Sequence, residues 1–97
     1  MTKCNSLEEV RDEIDNLDKK LVELISERSH YIRQAAAFKA SVEEVKTKER
    51  IDFILSRVRH SAIKLGVSPN MISELFEIMI DEMVETEIAE LRNRNKF

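Results

Sequence analysis

Glycine and proline occur once each in these 97 residues, cysteine once and tryptophan not at all. With so little glycine and proline, the tight turns of a β-meander or sandwich have almost nothing to build on, and five aromatics offer few of the residues that favour strands. Cys4 alone cannot form an internal disulfide, and two histidines and one cysteine without ligand spacing argue against a zinc site, so no metal is expected. His30 falls beside an apolar seam and His60 in a charged stretch; both are expected in solvent. No apolar run approaches the ~20 residues of a membrane span. No signal-peptide pattern follows Met1, so the expected compartment is the cytoplasm. Charged residues make up 36% of the chain, and their balance is −3. A net acidic chain argues against nucleic acid or an anionic membrane as partner. Interspersed signs suit solvated helix faces. What remains is an all-α chain, and its length predicts one domain over residues 1–97, with a core small enough that association helps it.

After a frayed tail over residues 1–5, the longest uninterrupted stretch is SLEEVRDEIDNLDKKLVELISERSHYIRQAAAFKAS, residues 6–41. It opens on a capping-box pattern, Ser6 followed by Glu9, and predicts a helix ~50 Å long. Its apolar residues step by threes and fours. Leu7, Ile14, Leu21 and Ala35 share one heptad position; Val10, Leu17, Leu24, Tyr31 and Phe38 share the other. Arg28 interrupts the first set. A guanidinium on an apolar seam needs an anion, which is either an acid of the core or a bound anionic ligand.

Periodicity lapses over residues 41–47, which read as a loop. Thr47 is placed to cap a second helix, 48–65, with Ile51, Ile54, Leu55, Val58, Ala62 and Leu65 on its apolar face and Phe53 and Ile63 off it. Gly66 suits the residue just past that helix, and Ser68-Pro69 suits a cap followed by proline in the first turn of the next. The third helix, about 69–92, carries a stripe of Ile72, Leu75, Phe76, Met79, Ile80, Met83, Ile88 and Leu91. Glu87 stands one turn after Met83, either at the margin of the stripe or inside the core.

On a continuous helix Arg28 and Lys39 lie three turns and ~16 Å apart, within roughly 20° of one direction, so the two cations can grip the ends of a small dianion. Arg11 is ~25 Å from Arg28 in the same chain. It joins them only if an antiparallel second copy brings it level; otherwise it is a surface residue paired with Asp15.

The pattern R-x-x-ID-x-x-D-x-x-(L/I)-(V/L)-x-L-x-x-x-R from Arg11 to Arg28, with FKAS, KER, LGVS and LFEIMIDE after it, resembles the all-helical chorismate mutase family over nearly the whole chain. The resemblance implies an intertwined homodimer with three helices per chain (long, short and medium) and two equivalent sites. It implies that Arg11 reaches the partner's site, where Arg28 and Lys39 are the same-chain cations and Glu49 takes the substrate's ring hydroxyl. Lys48 lies beside Glu49, and Glu87 faces the ether oxygen. Neither metal nor cofactor is implied, since the rearrangement of chorismate to prephenate is intramolecular and needs a folded substrate and aimed positive charge.

Two positions depart from the family pattern. Glu87 stands where most mutases have glutamine, and must be protonated to donate a hydrogen bond. Met83 replaces a small hydroxyl residue. The span from Lys39 to Glu49 is short, and with FKAS and ER it is similar to the isochorismate-pyruvate lyase branch, which yields salicylate and pyruvate. A non-catalytic dimerisation or regulatory module is the further alternative, and a helix-turn-helix DNA binder is disfavoured by the acidic final helix.

Overall fold

Ser6 starts the first helix with its hydroxyl: Oγ accepts the N–H of Glu9 at 3.1 Å, and Glu9 Oε2 reaches back to the N–H of Asn5 at 2.7 Å. This is the expected cap, with the return bond landing one residue earlier than the usual box. The computed structural model describes residues 3–94, so Met1 and Thr2 of the expected tail lie outside the described residues. It contains three long helices, α1 (Leu7–Ala36), α3 (Lys48–Leu65) and α4 (Pro69–Arg94), and a single helical turn, α2 (Val42–Val45). The described residues are all-α.

Two boundaries differ from the sequence reading. The first helix was expected to reach residue 41, but α1 stops at Ala36. There the ladder tightens, with Ala37 donating to Gln34, Phe38 to Ala35 and Lys39 to Ala36 at 3.0–3.2 Å. The carbonyl of Ala36 would next accept from Ala40. Instead Ala40 donates to Glu44 Oε2, and the guanidinium of Arg94 takes the carbonyls of Ala36, Ala37 and Lys39. A side chain from α4 thus replaces the following turn of helix. The stretch 41–47, expected as loop, folds its middle into α2. Thr47 has the extended backbone of a cap (φ −96°, ψ 130°), yet its hydroxyl makes no capping bond among the described residues.

The α3–α4 corner matches its local signals. Gly66 is left-handed (φ 73°), Val67 donates to Ala62 at 2.9 Å and Gly66 to Ile63 at 3.3 Å, the paired closure of a helix C-terminus. Ser68 Oγ then accepts the N–H of Met71 at 3.2 Å. Arg59 Nη1 braces the corner from α3, donating to Ser73 Oγ at 2.8 Å, Asn70 Oδ1 at 3.1 Å and the carbonyl of Pro69 at 3.3 Å.

The chain divides into two compact units, Met1–Tyr31 and Ile32–Phe97. In the second, Val45, Ile54, Ile80, Met83, Val84 and Leu91 form the buried core, flanked by Ile32, Ile51, Leu55, Val58, Phe76 and Ile88. Leu65 and Leu75, expected on apolar faces, are exposed. From Leu7 on, the first unit is helix, and its seam residues Leu7, Ile14, Leu17, Leu21 and Leu24 are all exposed by half or more. No helix of the described residues is long and apolar enough to cross a membrane.

Candidate active site

Glu87 is the ionisable residue buried among the described residues, at 3% exposure, on α4 one turn beyond the buried Met83. Spacing left it between margin and core; the structure puts it in the core. Its Oε2 has no hydrogen-bond partner among the described residues. An unpartnered buried carboxylate is costly, so burial pushes the Glu87 carboxyl above the ordinary carboxylate range, and the positive charge of Lys39 opposes that rise only in part. Protonated, the group becomes a donor in an apolar setting.

Lys39 is half-buried beyond the end of α1. Its position therefore does not follow from helix periodicity, because α1 ends three residues before it. The turn presents it instead: Lys39 Nζ donates to the carbonyl of Glu44 at 3.2 Å, while the carboxylate of Glu44 holds the N–H of Ala40. Within the second unit, Lys39 lies close enough to Glu87 for its charge to act on that carboxyl, and the buried Met83 stands one turn before Glu87 on α4. Cation and acid come from segments far apart in sequence, joined by the packing of α2 and α3 on α4.

The other expected residues are placed as follows. Lys48 and Glu49 form the exposed first turn of α3. Lys48 is bound to Asp52 at 2.9 Å, and that hydrogen bond raises its pKa. Because both side chains are exposed, the pair is a weak lock that a ligand can displace. Arg28 is half-buried and Arg11 exposed, both on the first unit. The sequence reading passed over Arg94 and Glu44, which shape the Lys39 turn. A basic residue two turns after Glu87 on the same helix face was the available signal for Arg94.

A groove of about 360 Å³ lies in the second unit, lined by Arg33, Ala36, Ala37, Glu90, Asn93 and Arg94. It includes neither Lys39 nor Glu87, so this concavity is not where the paired cation and acid act.

Residues 10–88 match the family model described as chorismate mutase type II, a span that holds every expected site residue and ends before Arg94. Among curated proteins, the chain is 33% identical over 97 residues to a bifunctional chorismate mutase/prephenate dehydratase of Buchnera aphidicola, covering 96% of this chain and 25% of that protein. It is 29% identical to a chorismate mutase of Methanocaldococcus jannaschii, covering 93% and 95% of the two chains. It is 27% identical to an isochorismate pyruvate lyase of Pseudomonas aeruginosa, covering 88% and 84%. The chain spans about a quarter of the length of the bifunctional relatives it matches.

Proposed function

The chain belongs to the chorismate mutase type II family, and on that premise we propose that it rearranges chorismate to prephenate, a step toward the aromatic amino acids. The observation that carries this reading is the charge of Lys39 acting on a buried Glu87 whose proton affinity is raised and whose Oε2 has no hydrogen-bond partner among the described residues. In the rearrangement the ether C–O bond of the enolpyruvyl group breaks as a C–C bond forms between that group and the ring. No proton, electron or leaving group departs. Catalysis therefore consists of holding the reactive conformer and stabilising the negative charge that grows on the ether oxygen. Lys39 supplies the positive charge, and protonated Glu87 donates the hydrogen bond.

The dianion's carboxylates need further cations, which Arg28 and a second copy's Arg11 provide through forked hydrogen bonds. Glu49 receives the ring hydroxyl, with Lys48 beside it, and Met83 walls the site. The exposed seam of the first unit supports a homodimer with shared sites. Each Leu or Ile of that seam gains ~1.5–3 kcal/mol on full burial, so a second copy laid along it is strongly favoured over exposure to water.

A second reading, isochorismate-pyruvate lyase, is supported by the short Lys39–Glu49 connection and by the relative from Pseudomonas aeruginosa. The same cations serve either substrate. Incubating the purified chain with chorismate and with isochorismate, and following prephenate and salicylate, separates the two. Prephenate formation with no salicylate is the expected result; salicylate alone assigns the lyase. Failure of both, with retained binding of a dianionic analogue, makes the chain a non-catalytic module.

A further inference from the structure

α1 ends with carbonyls that lack the i+4 donor of a continuing helix, at the negative end of its dipole. Arg94 answers them. Its Nη1 donates to Ala36 O at 3.2 Å and Ala37 O at 3.1 Å, and its Nη2 donates to Lys39 O at 2.6 Å. Three carbonyls on one guanidinium is more than a cap requires, and the shortest bond falls on the residue whose side chain matters. Arg94 also stands seven residues after Glu87, two turns along the same face of α4, with Leu91 buried between them. One helix face therefore presents the acid to the site and grips the backbone that carries the cation.

We infer that Arg94 is a positioning residue for Lys39: its guanidinium fixes the backbone from which the Lys39 ammonium reaches the site. Without it the turn over residues 37–40 relies on tightened end-of-helix bonds and on Glu44, which is itself exposed. Lysine is no equivalent, because one ammonium lacks the planar fork that reaches Ala36 and Lys39 together. The role Lys39 plays in turnover rests on the mutase reading; the grip of Arg94 on its backbone does not.

The test is a titration of the Glu87 carboxyl by NMR in the full chain, comparing wild type, Arg94→Gln, Lys39→Met and the double variant. Lys39 lowers the proton affinity of Glu87, so any loss of its position raises it. Arg94→Gln is expected to shift Glu87 upward, in the direction of Lys39→Met, and to add nothing in the Lys39→Met background. A brace that only stabilises would lower Tm and leave Glu87 where it was; that result overturns the inference, as does an upward shift in the double variant beyond Lys39→Met. Arg94→Lys, which keeps the charge and the fold, is expected between wild type and Arg94→Gln, and decides the matter if the glutamine variant unfolds. With chorismate, Arg94→Gln should lower kcat ~10- to 100-fold with KM little changed, as a small misplacement of a catalytic group does, and an unchanged kcat overturns the inference. If wild type does not turn over chorismate, the mutase reading fails and the titration still decides whether Arg94 sets the position of Lys39.

Discussion

Lys39 acts on Glu87: burial raises the proton affinity of Glu87, and the Lys39 ammonium pulls it part of the way back. Glu87 feels the charge of Lys39, yet no salt bridge joins the two among the described residues. That balance suits a site that must receive a dianion. Under the proposed mutase reading, the substrate's negative charge would engage Lys39 and push Glu87 further toward its protonated, donating form.

A pH dependence follows. With the folded-state pKa of Glu87 raised, the protonated form is full on the acid side and is lost as pH rises through that pKa. The kcat of wild type is therefore expected to be greatest in acid and to fall toward alkaline pH, since kcat reports groups in the substrate complex. Glu87→Gln donates at every pH and should flatten the profile. The stability sign runs the same way. The folded state binds this proton more tightly than the unfolded state, so Glu87 favours folding below its unfolded pKa and this contribution is lost as pH rises through the folded pKa. Thermal melts should show Glu87→Gln gaining on wild type at pH 8 more than at pH 5. A wild-type rate level from pH 5 to 8 would remove Glu87 from contact with the ether oxygen.

Removing the cation is the harsher change. Lys39→Ala is expected to lower kcat by ~10²–10³-fold, the usual loss of one preorganised group facing developing charge. KM should change far less. Steady-state kinetics on chorismate check this, and comparable turnover in the variant would end the role assigned to Lys39.

The shared site is testable by mixing. If each site takes Arg11 from one copy and Lys39 from the other, Arg11→Ala and Lys39→Ala are each nearly inactive alone. Unfolded together and refolded, half of the random dimers are mixed, and each has one intact site. Activity should return to about a quarter of the wild-type value, as expected for a symmetric pair with two sites. No recovery in the refolded mixture would place both residues in one subunit's site.

Local signals in the sequence matched the structure where the physics is local. The Gly66 closure and the Ser68 cap depend on neighbours within a few residues, and the structure has both. The end of α1 was illegible because it is set by Arg94, 58 residues from Ala36; alanine-rich sequence alone favours more helix. Glu87 was ambiguous for a related reason. Spacing gives a residue's angle on its helix, but only the packing of α2 and α3 on α4 decides whether that angle faces water. The polar Ser73, buried at the other end of α4, escaped notice because its partner, Arg59, lies on α3.

That Arg59–Ser73 contact separates stability from chemistry. Arg59 donates to Ser73, Asn70 and Pro69, all in the first turns of α4, and so ties α3 to α4 across the Gly66 corner. Arg59→Met keeps the aliphatic stem and removes the donors, leaving the buried Ser73 hydroxyl without its guanidinium. Losing a charged hydrogen bond of this kind costs ~1.5–3 kcal/mol. In a chain of this size each kcal/mol lowers Tm by ~4–8 °C. The corner lies at the opposite end of α4 from Glu87, so kcat at a temperature well below the melt should match wild type. Calorimetry paired with kinetics checks both halves: an unshifted Tm would show the brace to be solvated and slack, and a fall in kcat without unfolding would tie this corner to the site.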